Sequence, residues 1–350
     1  MSTYHDKLIK DNIVKLRELI AELPEFCNDF FLGRDQLISS RTKIAYAYDL
    51  GVFFKFIHEN KKGYKDMEIT DYPLSLLDDI TRNDILRYME DLSFYNNKDE
   101  KEVRNDERGK ARKLASLRSF YNYYFRNEMI KSNPASLVEM PKIHEKEIVR
   151  LDFNEVAELL DMVEKGNNLT KGEERFYNKN ATRDLCILTL MLGTGIRVSE
   201  CVGIDLSDLD LKENRLKVRR KGGNESIIYF GDEVLAALED YVLIREDMHP
   251  LEGHEDALFL SMQNKRMSVR AVENMVTKYT SKLGTLKRIT PHKLRSTFGT
   301  NLYRETGDIY MVADFLGHKD VNTTRKHYAS ISDDSRRKAI RGFKLREDEE

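Results

Sequence analysis

The residues of this chain best suited to chemistry on a phosphate lie between Thr290 and Tyr328, which read T-P-H-K-L-R-S-T-F and, after an intervening stretch, L-G-H-K-D-V-N-T-T-R-K-H-Y. Thr290 can cap a helix and Pro291 can begin it. That places His292 and Arg295 three apart, on one helical face. Gly307 reads as a helix stop. Asp308 can cap a second short helix carrying Ile309, Val312, Ala313 and Leu316. Gly317 ends it, and His318 sits just past the end. A third segment, capped around Asp320 or Asn322, carries Tyr328. Two histidines, an arginine and a tyrosine delivered by three neighbouring short elements suggest attack by a tyrosine hydroxyl on a phosphodiester.

Two stretches upstream extend the pattern. One is Gly193-Thr194-Gly195-Ile196-Arg197-Val198-Ser199-Glu200. The other is Arg219-Arg220-Lys221-Gly222-Gly223-Asn224, between two strand-like runs. With H-x-x-R, L-G-H and the tyrosine, they resemble the motifs of the tyrosine recombinases, the phage-integrase and Xer group: a first arginine, a lysine on a hairpin turn, then His, Arg, His and Tyr in order. The span is about 130 residues. Within that family, the stretch from Phe176 to Gly223 (F-Y-N-K-N-x-x-R-D-L, then R-K-G-G-N) is similar to the single-recombinase Xer proteins of low-GC Gram-positive bacteria. The resemblance is firm over residues 151–330. Over 1–140 it rests on the helical pattern and a basic fourth helix.

The chemistry explains why these residue types belong together. A tyrosine hydroxyl has a pKa near 10, so about one in a thousand is ionised at neutral pH, and it needs help from its surroundings. Arg197 and Arg295 can hold an anionic phosphodiester with forked, charge-assisted bonds as charge grows on its non-bridging oxygens. The resemblance implies that Tyr328 is the nucleophile and that Lys221 protonates the leaving 5′ oxygen. A lysine can do so if neighbouring cations lower its pKa, and Arg219 and Arg220 adjoin it. It also implies that His292 assists proton movement and that His318 hydrogen-bonds the phosphate. Glu200 supports the arginine turn. No metal or nucleotide cofactor is implied, because the phosphotyrosine link retains the phosphoester bond energy.

Each residue alone has a plainer reading. Arg197 after a glycine turn could be a cap or a surface ion pair, and Lys221 an exposed hairpin lysine. His292 and His318 could be solvated or capping residues, and Tyr328 a packing residue. Their joint order favours the site.

A chain of 350 residues, 40% apolar and 34% charged, has material for two domains with sizeable cores. No apolar run is long enough to span a membrane, and the first residues lack the apolar core of a signal peptide. A cytoplasmic protein is expected. Cys27, Cys186 and Cys201 are widely spaced and read as reduced packing residues. A net charge of −2 does not advertise nucleic-acid binding, but eight basic residues face only Glu128 and Glu139 between Arg108 and Lys142. Local patches, not total charge, attract phosphate. Given the resemblance, Arg112, Lys113 and Arg118 are expected on the DNA backbone; the plainer alternative is a solvated helix face.

The expected fold is mainly α with two domains. Residues 1–142 would form a helical bundle, the SAM-like core-binding domain of the resemblance. Its helices cover 6–22, a stretch capped by Ser39 or Ser40, a third capped by Thr81, and Arg108 to Arg126. Residues 143–150 read as a linker. Residues 151–350 would form an α-rich catalytic domain with a small antiparallel sheet. Asp152 or Asn154 opens its first helix, residues 165–180 read as a loop, and Thr182 caps an apolar helix ending at Gly193. Leu216–Arg220 and Ser226–Phe230 read as strands, with Ala257–Ser261 as a candidate third. Asp333 to Lys344 reads as a terminal helix.

The resemblance implies a clamp around duplex DNA, a homotetramer on two recombination sites with the terminal helix docked on a neighbour, and leaves open an accessory activating protein. Resolution of chromosome dimers is the leading role. An integrase or excision recombinase of a transposon or phage, a type IB topoisomerase and a non-catalytic DNA-binding regulator are the alternatives. Ser296 stands where the family commonly has histidine. The His318-to-Tyr328 spacing of ten is more usual among integrases of mobile elements.

Overall fold

The computed structural model describes residues 4–96, 102–144, 149–220, 223–317 and 320–321. Lys221, His318, Tyr328 and the expected helix from Asp333 to Lys344 lie outside the described residues. The chain divides into two compact units, Met1–Lys146 and Glu147–Glu350. Both are mainly helical.

In the first unit, α1 (Tyr4–Ile20), α2 (Cys27–Gly33), α3 (Ser40–Asn60), α4 (Leu76–Asp79) and α5 (Arg82–Asp91) precede a short antiparallel pair, β1 (Tyr95–Asn96) and β2 (Glu102–Val103), and then α6 (Glu107–Arg126). The caps are local chemistry. Ser39 accepts from the Thr42 amide to start α3, Thr81 and Asp84 form a reciprocal box at α5, and Asp106 accepts from the Gly109 amide at α6. The helices close over an aromatic core: the Phe120 ring lies 5.2 Å from Phe30 and 5.1 Å from Tyr124, both nearly edge-on. Cys27 is fully buried there, and burial raises its thiol pKa.

The second unit contains α7 (Phe153–Lys165), α8 (Lys171–Thr194), α9 (Val198–Val202), the sheet β3 (Leu209–Asp210), β4 (Arg215–Arg219) and β5 (Glu225–Tyr229), then α10 (Asp232–Glu246), α11 (Val269–Thr280), α12 (Pro291–Thr306) and α13 (Ile309–Phe315). α8 is the central post, with α7, α10 and α12 packed around it. Its C-terminal half carries the fully buried Cys186, Ile187, Leu188, Leu190 and Met191. The sheet is antiparallel in the order β3-β4-β5, with Leu216 opposite Ile228 and Arg219 opposite Glu225.

Two expectations change. Residues 171–180 are not a loop but the first turns of α8, which begins eleven residues before Thr182. Thr170 and Glu173 make a capping box there, and the Tyr177 hydroxyl donates to the Val163 carbonyl at 3.0 Å, tying the polar half of the helix to α7. A capped, anchored helix does not need an apolar stripe. The apolar run at Ala257–Ser261 is not a strand of the sheet. Its amides and carbonyls make isolated links instead, such as Leu258 N–H to the Ile204 carbonyl at 3.0 Å and Leu260 N–H to the Tyr241 hydroxyl at 3.2 Å. The third strand is Leu209–Asp210. Among the described residues no helix is long and apolar enough to cross a membrane.

Candidate active site

Arg197 is placed by a sharp change of direction after α8. Gly195 is left-handed at φ +64° and closes the helix through its amide to the Met191 carbonyl. A Cβ there would also fall 2.3 Å from Cδ1 of Phe298. Only glycine satisfies both the backbone and the close packing of α12. Two residues on, Arg197 is the N-cap of α9. Glu200 fixes it from two sides: the Arg197 amide donates to Oε2 at 2.8 Å, and the guanidinium donates to Oε1 at 2.7 Å. The Glu200 side chain is 4% exposed and that of Arg197 36% exposed. The carboxylate is thus enclosed while the arginine keeps an open side.

Arg295 comes to the same turn from α12. It is buried, and its guanidinium donates to two backbone carbonyls, Gly195 and Leu316. One planar fork therefore joins the turn before Arg197 to the end of α13. His292, one turn earlier, is exposed at the start of α12, which begins with Pro291 as expected. The Ser296 hydroxyl donates to the His292 carbonyl at 3.1 Å, so the serine that stands in place of a common histidine serves the helix backbone.

A third arginine belongs to this cluster. Arg220 follows β4 and donates from Nη2 to the Phe315 carbonyl at 3.1 Å. Burial lowers its pKa; Glu200 opposes that shift and the Arg197 charge adds to it. The R-R-K run had suggested two equivalent cations beside Lys221. They are not equivalent: Arg219 points outward and pairs with Glu225 at 3.3 Å, whereas Arg220 points inward. The two-residue period of β4, with Leu216 and Val218 inward, carries the signal that separates them. The structure brings Arg197, Arg295 and Arg220 together around the Gly195 and Leu316 backbone; Lys221, His318 and Tyr328 lie outside the described residues.

In the first unit the three expected DNA-contact residues have different fates. Lys113 is 5% exposed and donates to Oδ1 of the buried Asp49 at 3.0 Å. Burial corrects the expectation that it faces the DNA backbone, because its ammonium is enclosed by this pairing. Arg112 donates to Oδ2 of the same carboxylate at 2.7 Å, yet half of its side chain remains exposed. Arg118 holds the Ala135 and Val138 carbonyls and so pins the segment after α6. These roles depend on long-range partners that no local pattern reveals.

Residues 149–335 match the model of the phage integrase family. The chain is 35% identical over 329 residues to tyrosine recombinase XerC of Caldanaerobacter subterraneus subsp. tengcongensis, covering 91% of this chain and 85% of that one. It is 34% identical over 242 residues to tyrosine recombinase XerC of Escherichia coli, covering 67% and 76%. The fold is shared with XerH site-specific recombinase in a post-cleavage complex with a palindromic difH substrate, at a TM-score of 0.64, 16% identity and coverage of 87% and 80%. It is equally shared with the Tn1549 transposon integrase in complex with transposon right-end DNA, at 0.62, 19%, 90% and 98%. With two arginines gathered on one turn in the matched region and a relative aligned over nearly the whole chain, this protein belongs to the phage integrase family, the tyrosine recombinases, whose chemistry is the cleavage and rejoining of DNA.

Proposed function

We propose that this chain is an Xer-type site-specific recombinase that acts on duplex DNA and resolves chromosome dimers at cell division. The observation that supports the chemistry is the meeting of two arginines at one turn: Arg295 donates to the Gly195 carbonyl, and Arg197, two residues on, is held by Glu200. Two guanidiniums from distant elements, oriented by backbone and a buried carboxylate, form a preorganised cradle for one phosphate.

In this reading the Tyr328 oxygen attacks phosphorus and the bond from phosphorus to the 5′ oxygen breaks. The leaving oxygen takes its proton from Lys221, and the phenolic proton passes to His292 or water. His318 donates to a non-bridging oxygen that Arg197 and Arg295 also hold. The 3′-phosphotyrosine then reacts with a 5′ hydroxyl from another strand, and the same steps in reverse reseal the DNA. The Met1–Lys146 unit is the core-binding domain and Glu147–Glu350 the catalytic domain. Arg112, on the basic α6, contacts phosphate. Four protomers act on two sites, each passing its C-terminal segment, Asp333–Lys344, to a neighbour. Deleting Asp333–Glu350 abolishes cooperative binding to paired sites but not binding to one.

The His318-to-Tyr328 spacing and the shared fold with the Tn1549 integrase support a second reading, an integrase of a mobile element. The test selects bound host genomic fragments and rebuilds them as nicked suicide substrates. A covalent adduct with wild type and none with Tyr328→Phe is expected. A bound site near the chromosome terminus supports dimer resolution; the end of a mobile element supports the second reading. Specific binding without an adduct from wild type would overturn both.

A further inference from the structure

We propose that Arg220 is a positioning residue of this site: its guanidinium ties the β4–β5 turn to the turn that closes α13, fixing the backbone from which Lys221 departs. The proposal rests on the recombinase reading above.

Three contacts carry it. The backbone of Arg220 closes the hairpin: its amide donates to the Asn224 carbonyl at 2.7 Å, and its carbonyl accepts from the Gly223 amide at 3.1 Å. Its side chain leaves the hairpin and donates to the Phe315 carbonyl at 3.1 Å. The next carbonyl, Leu316, accepts from Arg295. Two arginines from different elements thus take consecutive carbonyls at one helix end, where they also complement the helix dipole.

Gly317 completes the fit. It is left-handed at φ +58°, and a Cβ built on it would lie 1.1 Å from Nη1 of Arg220. The guanidinium occupies the space a side chain at 317 would need. An ordinary hairpin arginine points to solvent, as Arg219 does. Arg220 gives up that hydration and lies close enough to Arg197 to feel its charge. A planar fork reaches this carbonyl while filling the space beside the glycine; a lysine ammonium lacks that shape.

The residue that follows Arg220 is the proposed proton donor to the leaving 5′ oxygen, so a loosened turn slows cleavage where that proton is needed. Replacing the 5′ oxygen by sulfur removes the need, since a thiol has a pKa of about 8.5 and leaves as thiolate. The phosphorus–sulfur bond breaks, the tyrosine–phosphorus bond forms, and the thiolate departs with the electron pair.

The experiment compares adduct formation by wild type, Arg220→Ala, Arg220→Gln, Arg220→Lys and Gly317→Ala on matched oxygen and 5′-sulfur substrates, with thermal melts to confirm folding. The alanine, glutamine and Gly317→Ala variants should lose about 10²-fold on the oxygen substrate and approach wild type on the sulfur one. Arg220→Lys should not restore the oxygen rate. Unchanged rates on oxygen, or equal losses on both substrates in folded variants, would overturn the proposal. Failure of the wild type on both substrates would instead overturn the recombinase reading and this proposal with it.

Discussion

Arg295 donates to the carbonyl of Gly195, a residue 100 positions earlier in the chain. That bond joins the arginine of H-x-x-R to the turn that launches the other arginine of the pattern. Replacing Arg295 by alanine therefore has two effects. Adduct formation falls by about 10²- to 10³-fold through loss of a phosphate donor. Stability also falls, by about 1–3 kcal/mol for each buried carbonyl left without a donor. Arg197→Ala should show the rate loss together with a lower melting temperature, because it leaves the enclosed Glu200 carboxylate without its cation. Melts beside single-turnover cleavage of a suicide substrate separate the two.

Gly195→Ala tests the turn. A left-handed φ and the contact with Phe298 make the substitution unfavourable by more than about 1 kcal/mol. Pairing it with Phe298→Leu, which opens space for the Cβ, should recover part of the melting temperature and leave the backbone strain.

Asp49 separates structure from DNA contact on α6. Its carboxylate accepts from Arg112, Lys113 and Ser116 and is 2% exposed. Asp49→Ala should destabilise the protein by about 3–5 kcal/mol, since it strands a buried ammonium. Lys113→Met should leave the salt dependence of DNA binding unchanged. Arg112→Ala should reduce the slope of log K against log salt by about 1, as expected for one lost phosphate contact. Fluorescence anisotropy across a salt series reads both.

Glu173 gives a signed pH dependence. A hydrogen bond from Lys282, with those from Thr170, lowers its pKa to about 2. The folded value lies below the ordinary carboxylate value of about 4.3. Its contribution is therefore present in full above that value and is lost as pH falls toward 2. Glu173→Gln should cost about 1 kcal/mol at neutral pH through the weakened cap. The difference from wild type should shrink steadily as pH falls from the ordinary carboxylate value toward 2. Melting temperatures between pH 2 and 7 check this.

Much of the molecule was legible because neighbours along the chain settle it. Ser39, Thr81, Asp152 and Asp308 cap helices with their own side chains. Gly307 and Gly317 stop helices with left-handed backbones. Pro291 starts α12, which presents His292 and Arg295 from one helix. Residue order alone also named the chemistry, because a phosphodiester attacked by tyrosine calls for cations and proton carriers.

Packing settled the rest. A polar stretch became the start of α8 because Tyr177 and a capping box hold it where no apolar period could signal it. An apolar run was denied a place in the sheet because its partners lie on other segments. Among the cations, the strand period separates Arg219 from Arg220 but does not name the carbonyl that Arg220 reaches, and residue type could not separate Lys113 from a solvated lysine. The partner of each depends on which distant carbonyl or carboxylate lies within about 3 Å of it, and that distance exists only once the helices have packed.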